Sequence, residues 1–157
     1  MRSVLFVCAA NICRSPMAMG LFSAQVIPDT SEWQIASAGI FAPTGYLAAQ
    51  NTLAVLNQRG IELSQHRSSQ ITQEMMQTFS LILTMERGQK EALQIAFPKQ
   101  ALRVYLLTEM IGENWEIVDP IGGSLVDFEE TAREIQHLLT AGFERICSLA
   151  ADMAGDE

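Results

Sequence analysis

The 157-residue chain is poor in cations and carries no long apolar run. Ten Lys and Arg face 18 Asp and Glu, for a net charge of −8, and no basic cluster exceeds two neighbours. Binding along a phosphate backbone needs a basic surface, so nucleic acid is not an expected partner. An anionic substrate has to be caught by a local site, because the field of the whole molecule opposes it. No stretch approaches the roughly 18 apolar residues of a membrane span. Residues 4–10 are apolar, but the run is short for a signal-peptide core. Asn11, Cys13 and Arg14 follow it where the small residues of a cleavage site would stand. The run reads as a buried strand, and the expected location is cytoplasmic. Cysteine is scarce and odd in number: Cys8, Cys13 and Cys147. That argues against a disulfide scaffold, and C-x4-C with two scattered histidines is a poor zinc pattern. Repeats, low-complexity segments and linkers are also missing, so residues 1–157 are expected to form one domain.

What remains is an alternation of short apolar strands and helices. Arg2–Cys8 (RSVLFVC) is nearly unbroken in β-formers, as in a strand buried on both faces. Ser15-Pro16 reads as a helix start, with Ser at the cap and Pro at the first helical position. That helix is expected to run to about Val26 and end before Pro28. Further strands are expected over 33–38, 80–85 and 102–107. Helices are expected over 46–59, from the Thr72 cap to Thr78, and over 87–97. A last long helix is expected from about Ser124 to Met153. Phe128, Ala132, Ile135, Leu139, Phe143 and Ile146 give it one apolar stripe. Glu129, Glu130 and Glu134 read as its solvated face. Four buried strands separated by helices predict an α/β fold in three layers, a four-stranded parallel sheet with helices on both faces. Ligands of such sheets sit beyond the carboxyl ends of the strands, where residues 8–15 lie.

That loop reads Cys8-Ala9-Ala10-Asn11-Ile12-Cys13-Arg14-Ser15, a C-x5-R-S segment between strand and helix. A loop wrapping into a helix N-terminus offers unpaired N–H groups and partial positive charge to an anion. The same setting lowers a cysteine pKa, often to between about 3.5 and 7.5, which would make Cys8 a thiolate nucleophile. Arg14 presents a planar fork to two phosphate oxygens. Ser15 can donate to the thiolate, and Asn11 tolerates a left-handed backbone and can pin the loop with its amide. The competing reading is a small buried Cys8 with Arg14 in solvent. Phosphoryl transfer also needs a proton donor for the leaving oxygen. Asp119, in the turn Asp119-Pro120-Ile121-Gly122-Gly123 after the fourth strand, is the candidate; an aspartate in a plain surface turn is the alternative.

Together these residues resemble the low-molecular-weight protein tyrosine phosphatase family. The resemblance rests on VCAANICRSPMA (7–18) and DPIGGSLVDFEET (119–131), with SAGI (37–40), GIELSQHR (60–67) and LILTMER (81–87) between them in order. It implies a phosphatase I-like sheet and no metal or organic cofactor. It implies Cys8 as nucleophile, Arg14 as phosphate ligand, Asp119 as general acid, and Asn11, Ser15 and His66 as supports of the phosphate-binding loop 9–15. It places Ile12, Phe41 and Ile121 on the pocket wall. The implied activity is hydrolysis of phosphotyrosine in a phosphorylated protein substrate through a phosphocysteine, by a monomer or weak dimer.

Three departures leave alternatives open. Tyrosine-specific relatives usually carry two aromatics after Asp-Pro; here stand Ile121 and Gly122. DPIGGS and SAGIFA look closer to the protein arginine phosphatase branch, whereas Ile12 stands where that branch typically has Thr. Met19 and Gly20 replace the family's Glu-Ala. An arsenate reductase of the same fold is a third reading, but its thiol cascade needs cysteines after the third strand, and residues 85–97 contain none. A phosphate-binding module without catalysis would have no use for Asp119. Cys13 could close a protective disulfide with Cys8 or simply pack in the loop. Cys147 falls on the apolar stripe and reads as core.

Overall fold

The computed structural model describes residues 1–27 and 29–152. Strand β1 (Arg2–Cys8) is buried from Ser3 onward, and Val4, Leu5, Phe6 and Val7 are wholly inaccessible. Side chains of a strand alternate between faces. Val4, Phe6 and Cys8 therefore enter one core cluster, while Leu5 and Val7 enter another. Both faces are covered, which is why the strand needs no polar alternation.

The remaining elements are α1 (Arg14–Gln25), β2 (Trp33–Gly39), α2 (Gln50–Asn57), α3 (Gln73–Thr78), β3 (Leu81–Thr84), α4 (Arg87–Ala96), β4 (Val104–Leu106), α5 (Leu125–Ala141) and α6 (Phe143–Asp152). The strands form one four-stranded sheet in the order β2-β1-β3-β4, every pair parallel. Met17 and Phe22 of α1, Ile135 and Leu139 of α5 and Ile146 of α6 fill the core on the Cys8 side. Met76 of α3 and Leu93 of α4 fill the other. Phe22 meets Trp33 edge-on at 4.9 Å between centroids, a geometry worth about 0.5–1.5 kcal/mol beyond area burial. The three-layer parallel architecture expected from the sequence is the observed one. Among the described residues no helix is long and apolar enough to cross a membrane.

Several boundaries differ from expectation, each for a local reason. Helix α1 begins at Arg14 with Cys13 as its cap, so Ser15 lies inside the first turn and its hydroxyl is engaged elsewhere. Helix α2 begins at Gln50, because the backbone at Tyr46 is tied to Ser68 and that of Ala49 to Ile12. Strand β4 is only three residues long; Leu102 sits in a 3-10 turn and is 84% exposed. The long last helix is two helices. They break at Gly142, where a Cβ would stand 2.6 Å from Met110 Cβ. Pro28 and Met153, the expected stops of the first and last helices, lie outside the described residues. Glu129 is not simply solvated, since Arg59 Nη1 and Nη2 donate to its two oxygens at 2.8 and 2.7 Å and join the end of α2 to α5. Gly20 also acquires a role: a methyl there would approach Leu56 Cδ1 at 3.1 Å and Ile61 Cγ2 at 3.3 Å. Its absence lets α2 and the turn after it close onto α1.

Gly39, the last residue of β2, lies against the loop that follows β1. A Cβ on it would meet Ala9 O at 2.7 Å and Asn11 N at 3.0 Å. Gly39→Ala should therefore push the loop away from the strand. Overpacking of this kind costs about 1–3 kcal/mol, readable as a lowered urea midpoint with an unchanged slope.

Candidate active site

The loop between β1 and α1 is held by its carbonyls. Ile40 N donates to Cys8 O at 3.0 Å, Phe41 N to Ala9 O at 2.9 Å, and Ala49 N to Ile12 O at 2.8 Å. His66 Nε2 lies 2.9 Å from Asn11 O; a carbonyl can only accept, so this ring nitrogen carries the proton. In a planar trans peptide the following N–H points opposite to the C=O. With the carbonyls of residues 8, 9, 11 and 12 turned out to the surrounding shell, the amides of Ala9, Ala10, Ile12 and Cys13 turn to the inside of the loop. The first amides of α1, at Arg14 and Ser15, lie at the helix end that carries partial positive charge. The result is a cradle of backbone donors suited to an anion.

Asn11 makes this course possible. Its φ of 58° is the positive one among non-glycine described residues, in the left-handed region Asn tolerates. Its side chain is fully buried. Nδ2 donates to Ser15 Oγ at 2.8 Å and to Ser37 Oγ at 2.9 Å, while Oδ1 accepts from Ser69 N at 3.0 Å. Ser15 Oγ lies 3.0 Å from Cys8 Sγ and 3.3 Å from Ala38 O. With Asn11 already donating to it, the hydroxyl has one proton of its own, which faces two acceptors, the Ala38 carbonyl and the sulfur.

Arg14 is 1% exposed. Its Nη1 donates to Ile117 O at 2.6 Å and lies 3.3 Å from Glu86 Oε1; its Nη2 lies 3.5 Å from Asp119 Oδ2. A buried guanidinium needs such partners. Its Nε is also buried and has no partner in the protein, so one donor of the fork remains for an incoming oxygen. Asp119 is one-third exposed and accepts from Ile121 N at 3.1 Å through Oδ1. The structure thus brings Cys8, Asn11, Ser15 and His66 into one bonded network, and Arg14 and Asp119 into another at the same loop. Ile12 is half-buried in the loop, whereas Phe41 and Ile121 stand exposed on separate segments beside it.

Four contributors escape a reading of the sequence by residue type alone. Ser37 and Gly39 belong to the SAGI segment, whose clue is a serine and a glycine at the end of an otherwise apolar strand. Glu86 directly follows β3, and the Ile117 carbonyl carries no sequence signal. Glu86 is itself locked by Gln89, whose Nε2 donates to Glu86 Oε2 at 2.8 Å. Among the described residues no group of three or more His, Cys, Asp or Glu side chains converges as a metal site would require.

Burial, then the Asp119 carboxylate and Cys8, push the Cys13 thiol up to about 12, with Arg14 opposing. Burial also holds His66 below its usual range, against the pull of its bond to Asn11 O. The neutral ring is therefore the form the fold favours. Stability from this group is complete above the unfolded value near 6.5 and is lost as pH falls through the lowered folded value. His66→Gln, which keeps an N–H donor near Asn11 O, should flatten this part of the stability profile in denaturant titrations between pH 5 and 7.

A sequence model of the low molecular weight phosphotyrosine protein phosphatase family matches residues 3–151. A probable low molecular weight protein-tyrosine-phosphatase, EpsP, from Ralstonia nicotianae is 38% identical over 148 residues, covering 94% of this chain and 98% of that protein. A protein-arginine-phosphatase from Bacillus subtilis is 33% identical over 137 residues, covering 87% of this chain and 91% of that protein. The crystal structure of a low molecular weight protein tyrosine phosphatase from T. tengcongensis superposes with a TM-score of 0.87 at 35% identity, covering 92% of this chain and 99% of the other. With the family pattern running through almost the whole chain and the same fold in a solved relative, this chain belongs to the low molecular weight phosphotyrosine protein phosphatase family.

Proposed function

We propose that this protein hydrolyses phosphotyrosine in protein substrates through a phosphocysteine on Cys8. The observation that carries the proposal is the inward-turned amide cradle over Cys8, closed on one side by buried Arg14 with Asp119 on its fork. In the first step Cys8 Sγ attacks phosphorus in line, and the P–O bond to the substrate breaks as Asp119 protonates the departing oxygen. In the second step Asp119 takes a proton from water, whose oxygen displaces the sulfur and releases inorganic phosphate. Loop amides and Arg14 hold the equatorial oxygens in both steps, where fixed donors are worth most. Ser15 supplies a proton-bearing partner to sulfur as attacking and as leaving group, and Asn11 and His66 keep the loop in shape. Ile12, Phe41 and Ile121 wall the pocket. The protein works as a single domain in the cytoplasm, as a monomer or weak dimer. Its net charge of −8 supports phosphoproteins rather than nucleic acids as partners.

A second reading, protein arginine phosphatase, is favoured by the turn after Asp119: Ile121-Gly122 leaves one wall without the aromatic pair usual in tyrosine-specific relatives. Phosphate release from matched phosphotyrosine and phosphoarginine peptides, with Cys8→Ser as blank, decides between them. We expect the phosphotyrosine peptide to be preferred; preference for phosphoarginine would keep the mechanism and change the substrate. Cys8→Ser should abolish turnover, and Asp119→Ala should slow it by roughly 10²–10⁴. A near-normal rate in the Asp119 variant would move the acid elsewhere.

We further propose that, once peroxide has oxidised Cys8 to its sulfenic acid, the Cys13 thiolate attacks Cys8 Sγ, forming the S–S bond as the S–O bond breaks and the hydroxyl leaves as water, slowly at neutral pH. Only the thiolate attacks. Burial and the Asp119 carboxylate hold the Cys13 thiol well above the usual range, and oxidation of Cys8 removes only one of the groups that raise it. Recovery of activity by thiol reductant after peroxide should therefore improve with rising pH, and the improvement should vanish in Cys13→Ala.

A further inference from the structure

Some of the exposed large apolar side chains of this molecule lie in two segments beside the loop, while others, such as Ile95 and Leu102, stand apart from it. In the segment after β2, Phe41 is 83%, Tyr46 62% and Leu47 54% exposed. Beyond β4, Val118 is 76%, Ile121 55% and Val126 65% exposed. The strand order puts the first segment on the β2 side of β1 and the second on the β3 side, joined to it where Ile117 N donates to Met85 O. The two segments are banks on either side of the Cys8 loop.

The first bank is rigid. Phe41 N and Ala49 N bond the loop itself. Between them Ala42 N donates to Gln70 Oε1, Tyr46 N to Ser68 Oγ, and Ser68 N to Tyr46 O. Its exposed side chains are thus presented on a backbone already ordered, and little freedom is left to lose on binding. The second bank borders a groove of about 430 Å³ lined by Val118, Asp119, Ile121, Glu130 and Glu134, among others, with no basic residue in its wall. Glu134 is half-buried, and burial pushes its carboxyl above the usual range. Scattered exposed apolar residues are ordinary, but contiguous ones beside a site mark a contact surface.

We propose that the two banks dock the substrate polypeptide, and that the protein prefers a phosphorylated residue flanked by apolar side chains and by a basic rather than an acidic one. Both banks adjoin the phosphate cradle, the first through the Phe41 and Ala49 bonds to the loop and the second through Asp119 beside Arg14, so a chain that delivers a phosphate to Cys8 passes between them. A second copy of this protein, at −8 and with the same acidic groove, would be repelled. A basic side chain finds the Glu130 and Glu134 carboxylates there.

This inference rests on the phosphatase reading, so its test carries a substrate without flanks. kcat/KM is measured for p-nitrophenyl phosphate and for three peptides sharing one central phosphotyrosine. One has Leu, Phe and Arg around it, one has Ser and Gly, and one has Leu, Phe and Glu. The first peptide should exceed each of the others by about tenfold, the effect of burying a side chain or pairing a charge at one position. A Tyr46→Ser/Leu47→Ser variant should lose its advantage over the Ser–Gly peptide. Glu130→Lys/Glu134→Lys should lose or reverse its advantage over the Glu peptide, and that advantage should shrink with added salt. Both variants should hydrolyse p-nitrophenyl phosphate within about twofold of the parent rate, a change too small to register as one lost contact. Equal kcat/KM for all three peptides in an enzyme active on the aryl phosphate would overturn the docking surface alone. No Cys8-dependent turnover of the aryl phosphate would instead overturn the phosphatase reading beneath it.

Discussion

A trans peptide cannot point its C=O and its following N–H the same way, and the segment between β1 and α1 lives under that constraint. Its carbonyls at residues 8, 9, 11 and 12 are all taken by donors from outside the loop, and this alone turns the intervening amides inward. The donors come from three separate places: the end of β2, the approach to α2, and His66. Each depends on a further feature. The β2 end comes close enough only because Gly39 has no Cβ, and Asn11 must hold a φ of 58° to pass between its neighbours. The residues that crowd the loop in sequence motifs and those that hold it in space are therefore largely different residues.

That division explains how far the sequence could be read. Arg2–Cys8 was legible because a doubly buried strand leaves an unbroken apolar run, and C-x5-R-S was legible because it fell between that run and a helix. Cys8, Arg14 and Asp119 converge at one sheet edge because parallel strands send their carboxyl ends there. Glu86 was not legible: it partners Arg14 across space, and as a lone carboxylate after β3 it resembles any surface glutamate. The break at Gly142 was hidden because the apolar stripe continues through it; the close approach of Met110, which leaves no room for a Cβ there, is a tertiary contact. The late start of α2 has the same origin, since the hydrogen bonds of Tyr46 and Ala49 to distant residues outweigh local helical pattern.

Charge presents a separate problem. A molecule at −8 has to hold an anion, and its site contains two carboxylates beside the one buried arginine. Glu86 and Asp119 both remain about one-third exposed, so they compensate Arg14 without full desolvation of their own. The cation is fixed in place before any substrate arrives, and Nε stays unpaired in the protein. The amides add positive potential that does not titrate and does not depend on net charge. An acidic surface and an anion site are compatible because the site is built mainly from dipoles.

The two loop cysteines show how much neighbours decide. Cys8 and Cys13 lie in one loop, are equally buried at 3%, and share a core cluster. Cys8 ends a strand whose alternation places its sulfur 3.0 Å from a hydroxyl that is itself held by Asn11. Cys13 caps α1, and burial first, then the Asp119 carboxylate, push its thiol up. What the fold places against each thiol sets the two apart: a hydroxyl held by Asn11 beside Cys8, and burial together with the Asp119 carboxylate around Cys13.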